Sequence, residues 1–86
     1  MLVPMKARVH VALKTTVLDP QGQTVRAALQ GLGYTAITDV RQGKYFDLVI
    51  DPTVSREQAQ KDIDAIAHEV LANPVIEEYR VELLDE

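Results

Sequence analysis

The sequence predicts an α+β fold: a four-stranded antiparallel sheet with two helices on one face, in the order βαββαβ. Three observations predict it. Apolar residues alternate at period two over residues 5–13, the mark of a half-buried strand. Two stretches behind Asp19 and Ser55 carry apolar residues at helical spacing. Short apolar runs at 35–41, 45–50 and 79–84 are bounded by Gly, Pro or Asp, as strands are.

In the first strand, Met5, Ala7, Val9, Val11 and Leu13 share one face, and Lys6, Arg8, His10, Ala12 and Lys14 share the other. The basic face cannot be core. Asp19-Pro20 then reads as a helix start, with Asp accepting orphan amide hydrogens and Pro at the first helical position. Val25, Ala28, Leu29 and Leu32 mark the helix, and Gly33 suits a left-handed C-terminal cap. Gly22 falls in the first turn, where its entropic cost implies either that a side chain would clash or that the helix starts later, near Gln23.

Residues 35–41 and 45–50 read as two strands joined by a Gln42-Gly43 hairpin turn, with Gly supplying a positive φ. Ser55 and Gln58 form a capping-box pattern. Ala59, Ile63, Ile66, Ala67, Val70 and Leu71 mark the second helix, which ends near Asn73-Pro74. A last strand alternates over 79–84. This is a ferredoxin-like, split β-α-β arrangement repeated twice, expected to occupy residues 1–86 as one domain. It leaves one sheet face open, carrying His10, Ala12, Ile37, Tyr45, Val49 and Leu84 among charges. A second copy or another protein is expected to cover that face. Dimer is the first expectation for self-association, and a tetramer of two dimers is compatible with the two free surfaces.

Composition narrows the function. The 86 residues include no cysteine, which excludes disulfides and thiolate chemistry. Lys6 and Arg8 interrupt the start, so no apolar leader is expected there, and no apolar run approaches membrane-spanning length. A cytoplasmic location without membrane association is the simplest expectation. The net charge of −4 argues against nucleic-acid binding. His10 stands without a visible Ser, Cys or Asp partner, and His68-Glu69 lacks the second His of a helical zinc motif. Arg41-Gln42-Gly43-Lys44 lacks the spacing and following helix of a phosphate loop. No catalytic, cofactor-binding or metal-ligating set is expected in this chain.

Three segments go further: V-H-V-A-L-K-T-T-V-L-D-P-Q-G at 9–22, A-L-Q-G-L-G at 28–33 and V-R-Q-G-K-Y-F-D-L at 40–48. With N-P-V-I-E-E-Y-R-V-E at 73–82, they resemble, in order and spacing, the PurS family. Its members are small subunits of phosphoribosylformylglycinamidine synthase. The resemblance implies purine biosynthesis, in a complex that uses ATP and glutamine to convert formylglycinamide ribonucleotide to formylglycinamidine ribonucleotide. It implies two partners: a glutaminase subunit that releases ammonia, and a large synthetase subunit that binds ATP, Mg2+ and the nucleotide. This chain would bind no cofactor, would not be catalytic alone, and would dock the two and assist ammonia transfer.

The family-like positions are Lys14, Leu18, Asp19, Pro20, Gly22, Gly33, Arg41, Gly43 and Lys44. Asp19, Pro20 and Gly22 are expected to shape the loop leaving the first strand. Arg41, Gly43 and Lys44 are expected to shape and charge the hairpin. Lys14 and Arg41 either contact acidic groups on a partner or are solvated. A competing function is a regulatory module that binds a small molecule, which rests on fold analogy alone.

Overall fold

The computed structural model describes residues 5–84. Three strands form one antiparallel sheet in the order β2-β1-β3, with β1 Met5–Leu13, β2 Gly43–Ile50 and β3 Glu77–Leu84. Between them lie α1, Pro20–Gly31, and α2, Arg56–Ile66, which continues into a π-helical turn, Ala67–Leu71. The order is therefore βαβαβ, and the expected four-stranded βαββαβ sheet is corrected to three strands.

The missing strand is 35–41, which joins no ladder. Strand preference is a statement about packing on a pleated surface, and this segment has no such neighbour. Its polar groups are engaged locally. Ile37 N–H donates to Tyr34 O at 3.3 Å, and Gln30 Nε2 donates to Ile37 O at 3.4 Å. Gln42-Gly43 is not a hairpin turn either. Gln42 N–H is captured by the Asp19 carboxylate, and Gly43 is already the first residue of β2. Among the described residues Gly33 is the glycine with a positive φ, at 98°.

Strand register follows the alternation of β1. Its central position pairs Val9 with Phe46 on one side and Val81 on the other. Ala7, Val9 and Val11 are buried together with Ile63, Ala67 and Ala72, and Phe46, Leu48, Ile50, Leu71, Val81 and Leu83 pack around them. One helix, α2, thus covers the apolar face. Ser55 Oγ accepts from Gln58 N–H, capping α2 and satisfying an orphan donor. The Gln58 side chain turns to Asp62 at 2.8 Å.

The π-helical turn corrects the stripe expected on α2. Ala72 N–H donates to Ala67 O, five residues back. The extra residue per turn rotates Val70 outward, to 73% exposure, and brings Ala72 into the core.

The second expected helix is not on the sheet. In α1 Gly22 is the buried residue, and no α1 side chain enters the core. The chain is 52 × 30 × 14 Å with a radius of gyration of 16.9 Å, against about 12 Å for a compact chain of this length. Helix α1 and residues 32–40 form an arm that projects from the sheet. Ile37 lies on that arm and not on the open sheet face, which carries His10, Ala12, Tyr45, Val49 and Leu84.

Candidate functional site

Two sequence stretches far apart in the chain meet where the arm joins the sheet. The first is 13–22, which leaves β1 and starts α1. The second is 40–43, which returns to β2. Asp19 stands between them, 4% exposed. Its Oδ1 accepts from Gly22 N–H at 3.0 Å and its Oδ2 from Gln42 N–H at 2.8 Å. One carboxylate therefore caps α1 and ties the returning segment to it. The Gln42 and Gly22 amides hold the Asp19 carboxyl below the usual carboxylate range, against the opposing effect of its burial.

Arg41 closes the other side of this neck. Its Nη2 donates to Lys14 O at 2.9 Å, Val17 O at 3.0 Å and, at the long limit of 3.5 Å, Leu13 O. The guanidinium thus gives Val17 O a donor and adds a second to Lys14 O, which also accepts from Val17 N–H at 2.9 Å. Gln42 Nε2 adds a 2.6 Å bond to Gln21 Oε1.

Gly22 and Gly43 are required by close approach. A Cβ on Gly22 would collide with the Val40 carbonyl oxygen and stand 2.7 Å from Asp19 Oδ2. A Cβ on Gly43 would meet Val11 O at 2.8 Å. Pro20 occupies the first turn of α1, where a missing amide hydrogen costs nothing. The early helix start at Pro20 is the one adopted, and Gly22 marks a clash.

Lys14 is half-buried, and its backbone N–H donates to Ile76 O at 2.9 Å. The Lys44 ammonium is engaged beside the neck and not in these bonds. Its Nζ is 4.0 Å from Glu77 Oε2 and 5.6 Å from the centre of the Phe46 ring. The structure therefore brings Asp19, Pro20, Gly22 and Arg41 together, places Gly43 and the Lys14 carbonyl at their edge, and leaves the Lys44 ammonium on the sheet's apolar side. Gln42 and Gln21 were missed by sequence reasoning. Gln42 acts through its backbone N–H, which no side-chain pattern marks.

Beyond the neck, α1 ends in a double cap. Gly33 N–H donates to Gln30 O at 3.0 Å and Tyr34 N–H to Leu29 O at 2.9 Å, respectively the five-to-two and six-to-one bonds of a Schellman motif. The apolar residues of the arm stay uncovered: Leu18 is 65% exposed, Leu32 74% and Tyr34 60%, with Val25 and Ile37 also exposed. So many exposed large apolar side chains within one segment suit an interaction surface.

The open sheet face differs. Arg8 Nε donates to Asp47 Oδ1 at 2.7 Å and its Nη2 reaches Oδ2 at 3.4 Å, while its guanidinium lies 4.6 Å from the centre of the Tyr45 ring. His10 Nε2 is 3.5 Å from Glu82 Oε1, too poorly placed for a hydrogen bond, and it is buried without a hydrogen-bond partner among the described residues. Among those residues no group of three or more acidic or His side chains is placed to hold a metal ion, and no helix is long and apolar enough to cross a membrane.

Comparison with known proteins identifies this architecture. The family described as PurS, phosphoribosylformylglycinamidine (FGAM) synthase, matches residues 6–85. The phosphoribosylformylglycinamidine synthase subunit PurS of Mycobacterium leprae is 49% identical over 76 residues, covering 88% of this chain and 91% of that protein. The C2 crystal form of Bacillus subtilis PurS superposes with a TM-score of 0.82 at 41% identity, over 94% of this chain and 99% of the other. The structure of PurLQS from Thermotoga maritima contains a chain that matches with a TM-score of 0.85 at 29% identity, over 95% of this chain and 99% of that one. A family match across nearly the whole length, with a relative 49% identical over 88% of the chain, places this chain in the PurS family of phosphoribosylformylglycinamidine synthase subunits.

Proposed function

We propose that this chain is the noncatalytic small subunit of an ATP- and glutamine-dependent phosphoribosylformylglycinamidine synthase, docking a glutaminase subunit to a synthetase subunit in purine biosynthesis. Family membership supports the reading, and the observation that carries it in the fold is the arm. A short chain spends about a quarter of its residues on a helix and loop that bury little within it. Such a surface is suited to docking. Ammonia released in bulk water is protonated and diluted, so holding its source close to its acceptor favours transfer.

Self-association belongs to the same proposal. A second copy covers the apolar stripe of Val25 and Leu32, and dimer or tetramer follows from how many free surfaces are used. ATP and Mg2+ are assigned to the large subunit, and a cytoplasmic location fits that setting.

Reconstitution tests the docking role. Glutamine-dependent product formation by the two larger subunits requires this chain, whereas the synthetase retains activity with supplied ammonia. Equal glutamine-dependent rates without the chain overturn the proposal. Light scattering of the purified chain across concentration gives the oligomer order.

A further inference from the structure

The arm meets the sheet at the neck, where hydrogen bonds cross between its outgoing and returning segments. Two clamps hold it. Arg41, on the returning side, reaches the outgoing-loop carbonyls of Lys14 and Val17, short of α1. Asp19 is different, because its two oxygens engage opposite sides of the neck: Gly22 N–H on the outgoing side and Gln42 N–H on the returning side. Charge-assisted bonds from backbone donors are strong and directional. Each donor belongs to a segment fixed at its other end, Gly22 in α1 and Gln42 next to β2. Gly22 also lets the Val40 carbonyl sit where a Cβ would be, so the two segments approach closely enough for one carboxylate to span them.

We propose that Asp19 is a positioning residue that fixes the angle between arm and sheet, and with it the geometry in which the assembled complex holds its subunits. The first half of this inference concerns the chain alone. The second half rests on the docking role proposed above.

The chain has no cysteine, so spin labels can be placed at will. Cysteines at Arg26 on the arm and Lys61 on α2, both exposed, report the arm-to-sheet distance by pulsed electron paramagnetic resonance. Labelled chain is diluted in excess unlabelled chain, so that distances within one copy are read. The native neck gives a narrow distribution. Asp19→Ser retains an oxygen that can cap α1 but is too short to reach Gln42. It broadens or shifts the distribution while helix content by circular dichroism stays constant. A simple capping role leaves the distribution unchanged, and that result overturns the proposal.

Asp19→Asn is the second variant. Its single carbonyl oxygen serves one of the two amides, and the same broadening is expected from a side chain of unchanged size. If neither variant folds, the unsubstituted labelled chain is titrated. Broadening on protonation of the carboxyl, before helix content falls, supports the proposal, and a constant distribution up to unfolding overturns it. In the reconstituted complex, Asp19→Ser lowers glutamine-dependent turnover more than ammonia-dependent turnover. A native chain that supports no glutamine-dependent turnover overturns the docking role but leaves the distance result standing.

Discussion

The sheet half and the arm are patterned alike and finished differently. Both carry apolar residues at the correct period, both carry an N-cap with a hydrogen-bonded side chain, and both have well-formed helices. In the sheet half, the α2 stripe meets the small side chains Ala7, Val9 and Val11, and the contact excludes water. In the arm, the α1 stripe joins no buried core among the described residues. Periodicity shows that a helix face requires cover. It does not show what supplies the cover. The smallness of the core explains the asymmetry. With Val9 and Val11 as the largest fully buried side chains, the sheet offers room for one helix, and the second is left to project.

The largest expected effect lies in the sheet half. Ile63 is 2% exposed and central to the contact between α2 and β1. Ile63→Ala removes buried methyl and methylene groups and leaves a cavity, costing about 2–4 kcal/mol. Urea unfolding of the isolated chain measures it. A loss below about 1 kcal/mol would mean that the core is formed elsewhere, and the contrast between the two regions would fail.

The neck comes next. Gly22→Ala places a Cβ against the Val40 carbonyl and the Asp19 carboxylate. Helix propensity favours Ala there by nearly 1 kcal/mol, whereas overpacking against backbone costs about 1–3 kcal/mol. A net destabilisation is expected in the same urea experiment. A stabilised variant would show that the two segments do not approach closely in solution.

Acid tests the neck without substitution. The folded-state pKa of Asp19 is lowered, first by the Gln42 amide and then by the Gly22 amide. The stability it contributes is fully present above the unfolded carboxyl value of about 3.9 and is lost as pH falls through the lower folded value. Arg41 adds to the lowering, and Lys44 and Glu77 line the same recess. Asp47 and Asp51 are also lowered, by Arg8 and by Thr53, so the total acid loss has several sources. The Asp19 share is the difference between the native chain and Asp19→Asn over that window. Parallel pH curves for the two would remove Asp19 from the account.

How much of this was legible in the residues differs between the two regions. The alternation of β1, the caps at Asp19 and Ser55, and the Gly33 stop could be read because each depends on neighbours a few positions away. The fourth strand was misread because Val40, Ile37 and Thr35 have strand propensity without a strand beside them. The π-helical turn left no mark, since Ala67 to Leu71 keep an ordinary helical stripe. At the neck, the unusual Gly22 announced a clash but not its partner. The link from Asp19 to Gln42 runs through a backbone amide 23 residues away and leaves no trace in side-chain pattern.

The smallest effect on the chain by itself is expected at the arm's tip, and it separates the two regions most sharply. Leu32 is 74% exposed and sits at the C-terminal cap of α1, where its N–H, not its side chain, makes the bonds. Leu32→Gln should therefore change the unfolding free energy of dilute chain by no more than about 0.5 kcal/mol, the usual range for exposed positions. With a second copy on the stripe, the same substitution lowers the average mass seen by light scattering at high concentration. It also removes the concentration dependence of the melting midpoint that association produces. A variant that melts much earlier when dilute would show the arm folded onto its own chain. One that leaves mass and midpoint unchanged at every concentration would show that the second copy sits elsewhere. The expected pair, an unchanged dilute midpoint with a reduced mass, assigns the cover of α1 to a neighbour and leaves the sheet half as the part that folds by its own contacts.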